Sequence, residues 1–223
     1  MNFRKYIPIL VALLIIVTTN CVAQTWDAKK DFAASNPNGA WSYGYGITGT
    51  SFTLDTVYGA NCFPTGGFVC WRTETGDPSV GFNTTGGWLD YGTDLLPPDA
   101  LRVHDGPDDG QDVIVQWTAP ATGVYRIYGY FEILDTAPTG IIGLVYLNGT
   151  QIYRGELLGP PAQDPDQPGG AEDFYFDKLS LNAGDVISFG VNKDGSYYYD
   201  GSGLNAWIVA NPPNIQKCAV CSK

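Results

Sequence analysis

The chain is poor in several residue types that common functions require. It has one histidine, His104, and one methionine. A lone histidine excludes sites built from two imidazoles, whether for a metal or for a proton relay. Basic residues are scarce: 12 Lys and Arg stand against 23 Asp and Glu, for a net charge of -11 at pH 7. Phosphate backbones are repelled by such a surface, which argues against nucleic acid as a partner. After the first two dozen residues no apolar run is long enough for a membrane helix. No G-x-S-x-G elbow and no other signature places a nucleophile beside a base. Ala, Leu and Lys are sparse beyond the leader, which disfavours helix. There is no internal repeat and no clear interdomain linker.

What is abundant is strand and turn chemistry. Val113, Val115 and Trp117 share one face of an alternating run, with Ile114 and Gln116 opposite. Tyr125, Ile127, Gly129, Phe131 and Ile133 share a face of the next, with Arg126, Tyr128, Tyr130 and Glu132 opposite. Period two is the strand period, so each run buries one face of a sheet. The residues between them, 118–123, carry Pro120 and Gly123, and the two runs are expected to pair antiparallel at the centre of the fold. Short strands at regular spacing follow in both directions. They include Trp41 to Tyr45, Phe68 to Thr73, Ile141 to Leu147, Phe174 to Leu181, Ile187 to Val191, Tyr197 to Tyr199 and Leu204 to Val209. Asn148-Gly149 is a strong two-residue hairpin signal, because both residues tolerate positive φ. A single helical turn is expected within 27–34, and 86–98 reads as irregular. The prediction is an all-β, two-sheet antiparallel sandwich of the jelly-roll kind.

Residues 1–23 read as a signal peptide. Arg4 and Lys5 precede an apolar stretch from Ile7 to Val17, and Cys21-Val22-Ala23 offers a cleavage site. Lipidation of Cys21 is the alternative, which Asn20 disfavours. Residues 24–211 form one domain, and 212–223 a tail. Cleavage leaves four cysteines in a protein expected to be secreted, extracellular or at the cell surface, where disulfides persist. Cys62 and Cys70 bracket a short Gly-rich loop and form the simplest pair. Cys218 and Cys221 make a C-x-x-C that lacks the βαβ context of a redox motif. A structural staple is the expectation there, with cross-pairing to Cys62 or Cys70 open.

The candidates for chemistry are few. His104 beside Asp105 reads as structural. Glycosidases use two carboxyl groups roughly 5–10 Å apart. Glu132 and Asp135 lack a second glutamate close by, and Glu132 reads as half of a cross-strand pair on an exposed face. Two constellations suit binding better. Asp105, Asp108, Asp109 and Asp112 share one Gly-containing loop, and calcium takes carboxylate and carbonyl oxygens from such loops. Asp194 and Asp200 form a weaker acidic pair. Trp88 and Tyr91 sit in a polar loop, while Tyr197 and Tyr199 lie near Asn205. Aromatic rings with one polar end are common at binding surfaces. These five residues are the candidate ligand contacts. Trp117, Phe131 and Phe189 are assigned to the core.

The segments DFAASNPNGAWSYGYG, VHDGP, VQWTAPATGVYRIYGYF, VYLNG, LSLNAGDVISFGVNKDG and YYYDGSGLNAWI together resemble bacterial exported jelly-roll domains of PEP-CTERM-type and planctomycete-like surface proteins. More remotely the chain is similar to β-sandwich carbohydrate-binding modules and to the globular heads of complement-like proteins. The resemblance implies a jelly roll at the cell exterior. The group's hydrophobic C-terminal anchor is missing here, so free secretion is expected. The function expected is a non-catalytic module that binds a glycan or cell-surface polysaccharide, with calcium as the candidate cofactor. The alternatives are an adhesive or structural protein that self-associates through sheet edges or cysteines, and, third, a glycoside-active enzyme.

Overall fold

Alternating side chains make sixteen short strands in the computed structural model, which describes residues 23–59, 62, 66–162 and 169–211. In chain order they begin with β1 (Thr25–Asp27), β2 (Trp41–Gly46), β3 (Thr53–Leu54), β4 (Val57–Gly59), β5 (Phe68–Thr73) and β6 (Gly76–Asn83). Next come β7 (Leu89–Tyr91), β8 (Asp94–Leu96), β9 (Leu101–His104), β10 (Asp112–Thr118) and β11 (Gly123–Ile133). The last are β12 (Ile141–Leu147), β13 (Thr150–Leu157), β14 (Ala171–Leu181), β15 (Val186–Asn192) and β16 (Ser202–Ala210). No helix is present among the described residues, and none is long and apolar enough to cross a membrane. The expected leader falls on residues almost wholly outside those described, and so do the tail and Cys218 and Cys221.

The strands form two antiparallel layers. One has the order β14-β11-β16-β9-β6-β5-β4, with β1 added alongside β16, and the other β13-β12-β15-β10-β2-β3. The all-β sandwich expected from the sequence is the fold observed. The central pairing is not. β10 pairs with β15 and β2, whereas β11 pairs with β14 and β16 in the opposite layer. Residues 118–123 therefore carry the chain across the sandwich instead of closing a hairpin. The two runs still bury the faces expected of them, and they do so against each other. Val113, Val115 and Trp117 meet Tyr125, Ile127 and Phe131 in one interior.

That interior is rich in rings. Trp117 meets Trp26 edge-on at 5.2 Å and Tyr125 at 5.3 Å. Phe174 packs 5.5 Å from both Phe131 and Phe189, tying the layers together. Gly143 makes room for Phe131, since a Cβ there would lie 2.6 Å from the ring. Asn148 and Gly149 have φ of 48° and 81° and join β12 to β13 with Leu147 opposite Thr150, the two-residue hairpin the dipeptide signals.

The outer face of the first layer is divided in two. A small hairpin of β7 and β8 lies within 86–98, where the sequence reads as irregular. It covers β5, β6 and β9, closing a second apolar cluster of Phe68, Cys70, Leu96 and Leu134 with Leu89 and Tyr91 against it. Arg102 on β9 is buried beneath it, donating from Nη2 and Nε to Asp94 Oδ2 at 2.8 and 3.2 Å, and from Nη1 to Ser79 Oγ at 3.0 Å. Cys62 and Cys70 form a disulfide at this edge, with Cα atoms 6.2 Å apart. Beyond the hairpin, the outer face over β11, β14 and β16 is open.

Candidate functional site

The open half of that face carries four aromatic side chains. Strand alternation sends Tyr128 and Tyr130 outward from β11, Trp207 from β16 and Tyr175 from β14. Register brings them together: Tyr128 lies opposite Trp207 on one side and Tyr175 on the other. The rings of Tyr128 and Trp207 are 5.4 Å apart and within 21° of parallel, and Tyr130 adds a third ring 5.9 Å from Trp207. Tyr175 is 58% exposed and Tyr128 36%, which is ample for a ligand to touch. Two shallow clefts flank the pair. One is lined by Tyr130, Asp173 and Tyr175, the other by Asp27, Lys30 and Asp31, and Tyr128 and Trp207 belong to both.

A turn at the start of the domain fixes the tryptophan. Asp27 Oδ1 accepts the N–H groups of Lys29 and Lys30 at 3.1 and 3.0 Å, and Asp31 N–H closes onto the Asp27 carbonyl at 2.9 Å. The carboxylate so held takes the Trp207 Nε1–H on Oδ2 at 2.8 Å. This is the single helix-like turn the sequence signals, and its consequence is to orient one indole. At the far end of the face Arg126 is paired with Asp177 through Nε at 3.0 Å and Nη2 at 2.9 Å. Three carboxylates, of Asp27, Asp31 and Asp173, edge the rings, with Lys30 beside them.

The expected ligand contacts lie elsewhere. Trp88 is half-buried just before β7, and Tyr91 packs on the second cluster, so both belong to the covering hairpin. Tyr197 and Tyr199 are in a loop and not the expected strand. Tyr197 meets the His104 ring edge-on at 6.3 Å, while Tyr198 and Tyr199 are exposed. Asn205 is not on that loop surface. It is buried on β16, donates from Nδ2 to the Asp99 carbonyl at 3.0 Å and accepts from Ala206 N–H at 3.0 Å. Its amide N–H ties down the segment before β9.

The four aspartates of the acidic loop line one cleft with Gln111, Asn192 and Lys193, but they are engaged differently. Asp112 is an anchor: Oδ2 accepts Thr48 N–H at 2.9 Å and Thr48 Oγ–H at 2.7 Å, and Oδ1 accepts Asn192 Nδ2–H at 2.7 Å. Asp108 is exposed and bonds Gln111, and the equally exposed Asp109 lies 3.2 Å from Lys193 Nζ. Asp105 is buried, at 1% exposure, and neither of its oxygens has a hydrogen-bond donor. Burial and the nearby Asp200 raise its pKa to about 8. Among the described residues no three His, Cys, Asp or Glu side chains cluster as metal ligands.

The acid–base candidates also change character. His104 is buried, and its Nδ1 donates to the Asp105 carbonyl at 2.8 Å, which fixes the neutral tautomer. Burial lowers its pKa further. Glu132 is not half of an exposed pair. At 6% exposure it lies over Gly203, where a Cβ would strike it, and Arg126 is committed to Asp177. Burial, then Asp99, raises its pKa to about 7. Asp135 accepts from Thr93 Oγ–H at 3.0 Å and Ala137 N–H at 2.8 Å, so it holds a turn.

No family model matches the chain, and no curated protein matches it. Solved structures do resemble it. CBM51 from Clostridium perfringens GH95 in complex with methyl-galactose is 11% identical, with 84% of this chain aligned to all of that one at a TM-score of 0.39. CBM35 from Paenibacillus barcinonensis is 9% identical, with 85% of this chain on 99% of that one at a TM-score of 0.36. Arthrobacter globiformis T6 isomalto-dextranase is 13% identical at a TM-score of 0.32, and this chain spans only 23% of its length. The resemblance to PEP-CTERM-type and planctomycete-like domains gains no support from these matches.

Proposed function

We propose that the protein is an exported, non-catalytic module that binds carbohydrate on the open outer face of β11, β14 and β16. The observation that carries this reading is the exposed ring set of Tyr128, Trp207, Tyr130 and Tyr175, assembled from three strands and edged with carboxylates. A sugar presents apolar C–H faces and a girdle of hydroxyls. The first are buried well against aromatic rings, and the second are satisfied by flanking acceptors such as Asp173 and Asp31. A ring pair fixed through the Asp27 bond costs little entropy on binding, which favours affinity. The acidic rim makes neutral glycans the better ligands, since uronic or sulfated chains meet like charge.

The test is retention in affinity gels and on a glycan array. Neutral polysaccharide is expected to retard the protein, and Trp207→Ala is expected to abolish the retardation with the circular dichroism spectrum intact. Trp88→Ala and Tyr199→Ala, at the positions the sequence favours, are expected to bind normally. Wild-type retention by Trp207→Ala, or retention lost through Tyr199→Ala alone, would move the site to the tyrosine loop.

A further inference from the structure

At one end of the sandwich, acceptor oxygens outnumber donors. Ser202 of β16 lies opposite Val103 of β9, and just beyond that pair Asp200 is near enough to Asp105 to disfavour its ionisation. Both aspartates are 1% exposed. Neither oxygen of Asp105 has a donor, and neither does Asp200 Oδ2. Asp200 is served by Thr139 alone, whose hydroxyl reaches Oδ1 at 2.6 Å and whose backbone N–H also favours the carboxylate. That hydroxyl has one proton, yet the carbonyls of Ser196 and Tyr198 also sit 3.1 and 3.0 Å from it. The charge of Lys193 favours the Asp105 carboxylate, but its Nζ donates to the Pro107 carbonyl at 2.8 Å and faces Asp109. His104 has turned its Nδ1–H to the Asp105 carbonyl and not to the carboxylate. Buried acceptors without donors are rare and ordinarily have a partner.

Two carboxylates and two backbone carbonyls suit a hard divalent cation, and calcium takes six to eight such oxygens. We propose that Asp105 and Asp200, with the carbonyls of Ser196 and Tyr198, hold a calcium-type divalent cation that ties the loop before β16 to the end of β9. The set leaves out Asp112, held by Thr48 and Asn192, Asp109, which faces Lys193, and Asp108, bonded to Gln111. The proposal is independent of carbohydrate binding on the sheet face.

The test uses the whole protein, stripped with EDTA and dialysed. Calcium chloride is titrated calorimetrically and against melting temperature, and terbium luminescence excited through Tyr197, Tyr198 and Tyr199 reports the location. At a hundredfold excess over Kd the melting temperature is expected to rise by roughly 5–10 °C. Asp105→Asn and Asp200→Asn are each expected to weaken calcium by about tenfold or more, while Asp109→Asn keeps the wild-type response. Should Asp105→Asn not fold, Asp200→Asn and the wild-type calorimetry decide. No heat and no melting shift up to about 10 mM calcium overturns the proposal. So does a wild-type response in Asp105→Asn, or one lost in Asp109→Asn.

Discussion

Replacing Glu132 by Gln should stabilise this protein, and only above a certain pH. The carboxyl is buried on the outer face of β11, no donor among the described residues reaches it, and its pKa is raised from 4.5 to about 7. Below about pH 4.5 it is protonated in the folded and unfolded chains alike and contributes nothing. Between 4.5 and 7 the unfolded chain loses its proton first, so the folded chain holds more protons and stability falls as pH rises. Above 7 both are ionised and the full cost remains. At 1.36 kcal/mol per pH unit that cost is roughly 3 kcal/mol, an upper bound because the folded site can relax or admit water. Gln keeps the shape and removes the charge. Urea unfolding at pH 4 and pH 8 measures the effect. Glu132→Gln should match wild type within about 0.5 kcal/mol at pH 4 and exceed it by about 1–3 kcal/mol at pH 8. Asp55, Asp105 and Asp200 are also raised, to about 7, 8 and 7, and slope the same way, so the difference between variant and wild type is the quantity that isolates Glu132. A gain equal at both pH values, or a loss at pH 8, would refute the reasoning.

Other outcomes follow from the same packing. Trp207→Ala should weaken neutral-glycan binding by at least about 2 kcal/mol, close to thirtyfold in Kd, measured by affinity electrophoresis. Phe131→Ala should cost about 3–5 kcal/mol in denaturant unfolding, because it removes a ring packed on both Tyr153 and Phe174. Gly143→Ala should cost about 1–3 kcal/mol by driving a methyl into the Phe131 ring, and a neutral result would mean the layers are further apart than described. Asp112→Ala should release the loop at Thr48, seen as faster amide exchange at Thr48 with glycan binding unchanged.

Periodicity revealed which faces are buried and stayed silent on which strands are neighbours. The runs at 113–117 and 125–133 show this. Alternation assigned every inward residue, yet a Pro- and Gly-bearing connection looks the same whether it closes a hairpin or crosses a sandwich. The candidate site failed to assemble in the sequence for a related reason. Tyr128 and Tyr130 were visible as the outward set of β11, but Trp207 joins them only through a pairing with a strand far along the chain. The acidic loop looked like one site because its aspartates are close in sequence, and nothing local reveals that Asp112 is claimed by Thr48, 64 residues away. Trp88 and Tyr91 looked exposed because their surroundings are polar and Gly-rich. Leu89, Leu95 and Leu96 were the available signal that this segment covers something.

The covering hairpin also accounts for where binding can occur. A sheet face buried on both sides has no room for ligand, and the first layer is covered over β5, β6 and β9, where Arg102 needed Asp94 and Ser79 to be buried at all. The neighbouring strands carry rings at the centre of their outer face, with the Arg126–Asp177 pair at its far end. Phenol and indole groups tolerate partial exposure, so that half of the face stays open without penalty. Glu132 sits at the boundary between the two halves, which explains why it is desolvated yet unpaired. If the hairpin were deleted, Arg102 and Phe68 would be exposed and stability lost, while the rings over β11 and β16 would keep their arrangement, since Trp207 is held by Asp27 from the opposite side.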